Sequence, residues 1–181
     1  MNAFKVRISI FLVALALLLA NSSCTSCTKK GNNAAASSTM PAQTGSYATP
    51  VLPNRNHPKT QLLLRTFWVA EHWVNHADNS QNKPNKGHWW RFHDDGTFVV
   101  GQWQRELSYG SWVVYNDGDK DLIHMDAADD NFDMEFHMQQ VSELKDYMAW
   151  AGTGTYGQKR IAVKAISLLS KPTKAQFGIT E

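Results

Sequence analysis

The segment His88–Trp103 (HWWRFHDDGTFVVGQW) constrains the fold more tightly than any other part of the chain. Trp90, Phe92, Phe98 and Val100 share one parity, and Asp94-Asp95-Gly96 lies between the two halves. A period of two puts alternate side chains on one face of a strand, and an acidic, glycine-ended loop supplies the turn. With those three residues as the loop, Phe92 falls opposite Phe98 and Trp90 opposite Val100. On the other face Trp89 falls opposite Gly101, an aromatic ring covering a residue that has no side chain to pack. The segment is expected to be a β-hairpin.

The same period returns along the rest of the chain. Phe67 to Asn75 precedes the hairpin, Leu107 to Tyr115 carries Trp112, and Asp121 to Asp126 sets Ile123 and Met125 on one face. Phe132, Met134, Phe136 and Met138 alternate with Asp133, Glu135, His137 and Gln139, and Tyr147 to Ala151 and Ile161 to Leu168 follow. From Leu62 onward turn signals recur about every ten residues, and no stretch carries a convincing helical period. The expected fold is all-β: a small antiparallel up-and-down barrel of about eight strands, because closure removes exposed edges. In this register Phe92, Phe98, Phe132 and Phe136 point inward, and Arg91, Glu135 and His137 outward. Phe136→Ala is then expected to cost ~3–5 kcal/mol and Glu135→Ala no more than ~0.5 kcal/mol. Within Leu107 to Tyr115, Trp112 and Tyr109 compete for the inner face.

Ahead of this domain the composition changes twice. Lys5 and Arg7 form a charged start, and Ile8 to Ala20 (ISIFLVALALLLA) is an apolar run broken only by Ser9. Its 13 residues suit the core of a signal segment and fall short of the ~20 that a membrane-spanning helix needs. Ala20-Asn21-Ser22 suits cleavage to a soluble exported chain. Ser22-Ser23-Cys24 suits lipidation at Cys24, although Asn21 stands where an aliphatic residue is usual and Cys27 offers a weaker acceptor. Cys24 and Cys27 are the only cysteines, and their C-x-x-C spacing lies in a Ser/Thr/Asn stretch without the strand-to-helix setting of a redox motif. From Thr28 to about Lys59 the chain is rich in Ser, Thr, Asn, Ala, Gly and Pro and poor in large apolar residues. Such a stretch cannot bury enough surface to offset chain entropy, so it is expected to be a disordered tether. The expected layout is a signal peptide over 1–23, a tether over 24–60, a barrel over 61–169 and a C-terminal tail over 170–181. A chain beginning near Thr60 is expected to fold by itself. The destination is the cell envelope: a membrane contact through the lipid anchor, or release to the periplasm or beyond.

Charge narrows the partners. Without Lys5 and Arg7 the 18 basic residues fall to 16, matching the 16 acidic ones. A near-neutral mature chain argues against nucleic acid, which calls for a clustered basic surface. All seven tryptophans lie between Trp68 and Trp150, which places the core in that window.

Trp68-Val69, then Phe92-x-x-Asp95-Gly96-Thr97-Phe98, then Gly110-Ser111-Trp112-Val113-Val114, then Leu122-Ile123 form a pattern. It resembles the lipocalin-like domains of small bacterial lipoproteins, over roughly Leu62 to Leu168. That resemblance implies a cup of the lipocalin and fatty-acid-binding kind, which holds a small apolar ligand. Here Thr66-Phe67-Trp68 replaces the family's G-x-W, and the domain spans only about 107 residues, less than a full lipocalin.

The remaining chemistry is sparse. His72-x-x-x-His76 would share a helix face, but on a strand the two lie ~13 Å apart, too far for one ion. His88 and His93 have opposite parity. Asp117-Gly-Asp119-Lys-Asp121 begins like a calcium loop, yet Leu122 takes the place of its glycine and Ala128 that of its glutamate. Asp129-Asp130-Asn131-x-Asp133 departs likewise at Met134. No nucleophile motif or phosphate loop is present, so no cofactor, metal or catalytic residue is assigned. The candidate ligand-binding residues are Trp68, Trp90, Phe92, Phe98, Trp112, Phe132 and Phe136, which either line a cup or fill the barrel. Three function classes stand: a binding protein for a small apolar ligand, a non-catalytic envelope interaction module with a filled barrel, and a barrel enzyme such as an isomerase. An enclosed cavity with one or two polar groups favours the first. A filled barrel with Trp73, Trp89 or Tyr115 exposed in one patch favours the second.

Overall fold

The computed structural model describes residues 45–180 apart from residue 83. The signal segment, Cys24, Cys27 and the first part of the expected tether lie outside the described residues. A short helix, α1 (Pro58–Leu63), precedes eight strands: β1 (Phe67–Asn75), β2 (His88–Phe92), β3 (Thr97–Gln102), β4 (Arg105–Asp117), β5 (Lys120–Ala127), β6 (Met134–Val141), β7 (Tyr147–Gly152) and β8 (Ile161–Leu168). Each strand pairs antiparallel with the next, and β8 pairs with β1, closing an up-and-down barrel.

The hairpin forms in the expected register, with Phe92 opposite Phe98, Trp90 opposite Val100 and Trp89 opposite Gly101. A Cβ at Gly101 would run into the Trp89 indole, so a glycine is required where that ring lies flat on the strand. Phe92, Phe98 and Phe136 are buried at 0–1% exposure within one core that also holds Trp68, Trp90, Trp112 and Trp150. Trp112 wins the inner face of β4, while Tyr109 turns outward to meet Tyr47 edge-on at 5.6 Å.

The two ends of the barrel differ. At the end where β1 starts, Leu62 and Leu63 of α1 join the core, and the Trp68 indole N–H donates to the Leu62 carbonyl at 3.4 Å. The opposite end carries the long β1–β2 connection, a 3-10 turn at Asp130–Phe132, and the 153–160 loop between β7 and β8.

Four expectations are corrected. The tether does not extend to residue 60: its last part lies along the barrel wall. Pro53 and Thr60 are buried, Arg55 pairs with Asp94 at 2.5 Å, and His57 and Lys59 reach Asp121 at 3.1 and 2.8 Å. A chain cut at Thr60 loses those contacts with Asp94 and Asp121. The second correction is α1 itself, a single helical turn and a half opened by Pro58 at its first position, which suits proline's fixed φ and missing N–H. Third, the C-terminal tail, over residues 170–180, is fastened to the barrel: Lys171 pairs with Glu106 at 2.8 Å and Phe177 packs edge-on against Trp103 at 5.6 Å.

The fourth correction is Glu135. It points outward as expected, yet it is only 5% exposed because the 153–160 loop folds over it. Thr153 and Thr155 hydroxyls donate to Oε1 at 2.6 and 2.5 Å, the Tyr115 hydroxyl donates to Oε2 at 2.7 Å, and His124 Nδ1 lies 3.2 Å from Oε2. Burial alone would raise its pKa, but these hydrogen bonds outweigh burial and hold the carboxyl at about 2. In return, burial and the carboxylate push the Tyr115 hydroxyl up to about 12. The carboxylate therefore latches the β7–β8 loop to the wall. Its folded pKa lies below the ordinary carboxyl value. The stabilisation is thus complete above that value and is lost as pH falls toward about 2. Phe136→Ala is expected to cost ~3–5 kcal/mol for its cavity. Glu135→Ala, one residue away on the other face, should cost about 1.5–3 kcal/mol because it removes the buried charged acceptor that holds the loop. Urea denaturation of both variants at pH 7 checks this, and a near-neutral Glu135→Ala would contradict the latch.

Candidate functional site

The half of the barrel away from α1 is built around a ring of rings. β1 carries a bulge between Ala70 and His72, which resets its alternation. Trp68 and Ala70 face inward before the bulge, and Trp73 faces inward after it, buried at 7% exposure. From β2, His88 and Trp90 project into the same space, joined by Phe136 of β6 and Trp150 of β7.

These five side chains touch in a closed circuit. Ring centroids lie 6.4 Å apart for Trp73–His88, 6.2 Å for His88–Trp90, 5.2 Å for Trp90–Trp150, 5.8 Å for Trp150–Phe136 and 6.3 Å for Phe136–Trp73. All of these spacings fall in the range of favourable aromatic contacts. Exposure rises along the barrel axis, from 0–1% at Trp90, Trp150 and Phe136 to 7% at Trp73 and His88. Trp73 and His88 thus form the outer edge of the circuit, and all five rings are buried.

The circuit holds nitrogen atoms that nothing satisfies. Trp73 Nε1, Trp90 Nε1, Trp150 Nε1 and His88 Nε2 are all buried without a hydrogen-bond partner among the described residues. Buried polar groups are normally paired, and each orphan costs ~1–3 kcal/mol. The protonation of His88 follows from its other nitrogen. Nδ1 lies 3.1 Å from Asn85 Oδ1, an oxygen that only accepts, so Nδ1 carries the proton and Nε2 presents a lone pair. Burial lowers the His88 pKa to about 4, which keeps the ring neutral at pH 7. Three indole donors and one imidazole acceptor therefore share one aromatic enclosure. Such a set can recognise a flat, mostly apolar molecule by stacking, and can orient it through its acceptor atoms and one donor.

The seven residues proposed from sequence divide into two groups. Trp90 and Phe136 belong to the circuit, and Trp68 packs beside it, 6.2 Å from Trp150. Phe132 was expected on a strand but ends the 3-10 turn before β6. Asp129 caps that turn by accepting from the Asn131 N–H, which starts the strand only at Met134. Half-buried, the Phe132 ring sits edge-on to His88 at 6.1 Å, at the outer edge of the circuit. Phe92, Phe98 and Trp112 form a separate cluster near α1, with centroids 6.2 and 5.0 Å from Phe92. The Trp112 indole there donates to the His93 carbonyl at 3.0 Å, so that cluster is satisfied packing. Trp73, His88 and Trp150 were missed. Trp150 and His88 were readable, since each shares parity with an inward neighbour, Met148 or Trp90. Trp73 was hidden by the bulge, and it and Trp89 are buried instead of forming an exposed patch with Tyr115.

Because His88 is neutral when folded and ordinary when unfolded, its folded pKa lies below its unfolded value of 6.5. The protein is therefore expected to hold its full stability above pH 6.5 and to lose up to about 3 kcal/mol as pH falls to about 4. His88→Phe should flatten that interval in urea midpoints taken across it, whereas an unchanged slope would contradict a buried neutral His88. No family model, curated protein or solved structure matches the chain.

Proposed function

We propose that this chain is an exported, lipocalin-like binding protein that takes a small, flat, largely apolar ligand at the end of its barrel away from α1. The ligand lies against the Trp73–His88–Trp90–Trp150–Phe136 circuit, under Phe132. The observation that carries this reading is the set of unpartnered nitrogens inside the circuit. A ligand with acceptor oxygens would give the three indoles the partners that the protein does not, and a donor would answer His88 Nε2. The layout supports it: α1 closes one end, and the half-buried Phe132 is the least rigidly enclosed ring at the other. Export rests on the charged start, the apolar run Ile8 to Ala20 and Cys24 after it. A lipid on Cys24 would tether the barrel to the envelope, and the reading is of binding and not of catalysis.

A second reading, a filled barrel acting as an interaction module, draws on the packing itself. Trp68, Trp90, Phe92, Phe98 and Phe136 are all between 0 and 1% exposed, so ligand entry requires the upper rings to part.

Native mass spectrometry of the chain purified from its producing cells separates the two. The binding reading expects a small-molecule adduct that disappears under denaturing conditions. In a Trp90→Phe/Trp150→Phe variant, which keeps the rings but removes two N–H donors, the adduct should fall at least tenfold. Equal occupancy in that variant, or the bare protein mass throughout, would favour the filled module.

A further inference from the structure

The end of the barrel that α1 closes carries a cleft on its outer side, between α1 with its flanking residues and the end of β2. Its volume is about 530 Å³, within the ~300–1,000 Å³ of small-molecule sites. Its charged lining residues are Arg55, Arg65, Arg91 and Asp94. Three guanidinium groups therefore meet one carboxylate, and that carboxylate is already taken: Arg55 pairs with Asp94 at 2.5 Å.

The other two arginines keep their charge. Arg91 is half-buried and is held by neutral partners. Its Nη1 donates to the Leu64 and Thr66 carbonyls at 3.1 and 3.0 Å, and its guanidinium lies over the Phe67 ring at 5.6 Å. These contacts fix the group without neutralising it, and Nε and Nη2 make no hydrogen bond among the described residues. Arg65 follows Leu64 in the turn that Arg91 holds. It is exposed, and its side chain forms no ion pair or hydrogen bond among the described residues. A cleft lined by one sign of charge concentrates ions of the other sign. A guanidinium also presents its donors as a rigid fork that matches the oxygens of a phosphate or a carboxylate. Charge chooses between those two. A pair of free guanidinium groups balances a dianion, and a phosphate monoester carries about −1.5 to −2 near neutral pH.

We propose that this cleft binds a phosphate monoester, whose oxygens accept from Arg65 and Arg91 and whose carbon body lies along the wall at Leu64. A small free phosphomonoester and the headgroup of phosphatidic acid share that chemistry. The site has no residue in common with the aromatic circuit and does not depend on the reading given to it.

Calorimetric titration of the full chain with glycerol 3-phosphate and with glycerophosphocholine, the corresponding zwitterionic diester, tests it. The monoester should saturate one site, and the diester should bind roughly tenfold more weakly or worse. Arg65→Glu should weaken the monoester by about tenfold or more, and Arg65→Lys, which keeps the charge but not the fork, by less. Arg160→Glu, the same change of charge on the exposed β7–β8 loop, should leave binding as it was. Thermal unfolding of each variant confirms that these surface changes leave the barrel folded. Dihexanoyl phosphatidic acid, kept below micelle formation, separates the two sources. Binding about tenfold tighter than that of glycerol 3-phosphate identifies a lipid headgroup, and equal or weaker binding a free phosphomonoester. No saturable binding of either monoester, equal affinity for monoester and diester, or equal losses in Arg65→Glu and Arg160→Glu would overturn the proposal. Loss of monoester binding only in Trp90→Phe/Trp150→Phe would overturn it as well, by placing the phosphate inside the barrel.

Discussion

Closing eight antiparallel strands into a barrel leaves an interior that must be filled from a short stretch of chain, and aromatic side chains fill it. Trp68, Trp90, Phe92, Phe98, Trp112, Phe136 and Trp150 all enter that space, and the rings touch in two groups. The group near α1 is buried, and its one indole donor is paired. The group at the other end closes on itself as a five-membered circuit. Interiors of this kind are packed like organic crystals, so each ring fixes its neighbours and the strands behind them. Both the barrel register and the candidate site follow from this one packing constraint.

What distinguishes the two groups is polarity. The indoles of Trp68, Trp89 and Trp112 each donate to a backbone carbonyl, and the Glu135 carboxylate outside the wall has hydrogen bonds on both oxygens. These buried polar groups are paired. Buried atoms without a partner also occur at His57 and Thr60 beside α1, but the nitrogens of Trp73, Trp90, Trp150 and His88 are gathered in one aromatic enclosure. Local exceptions to polar satisfaction concentrate where a protein meets something else.

The hairpin was legible in sequence down to single pairings because alternation, loop chemistry and the Trp89–Gly101 match all act locally. Trp73 was not legible, since a bulge flips every later residue of its strand and nothing in the sequence marks where the extra residue falls. Glu135 was read on the correct face but at the wrong depth. A strand pattern reports direction, whereas its burial comes from Thr153 and Thr155, about 20 residues later in the chain. Residues 45–60 were read as tether because they lack apolar bulk. Their attachment combines single contacts, Tyr47 on Tyr109, the Ala48 N–H on Asp126 and Lys59 on Asp121, which a count of apolar bulk does not register.

The central claim is that the aromatic circuit is buried and holds indole donors that lack partners in the protein. Proton–nitrogen NMR of the seven indole N–H groups addresses it directly, with assignment by single Trp→Phe replacements. In ligand-free protein the Trp73, Trp90 and Trp150 indole protons should resonate upfield of those of Trp89 and Trp112, which are hydrogen-bonded. Those of Trp90 and Trp150 should exchange with solvent slowly, as buried groups do. Downfield, hydrogen-bonded positions for these three, or rapid exchange at Trp90 and Trp150, would contradict the account.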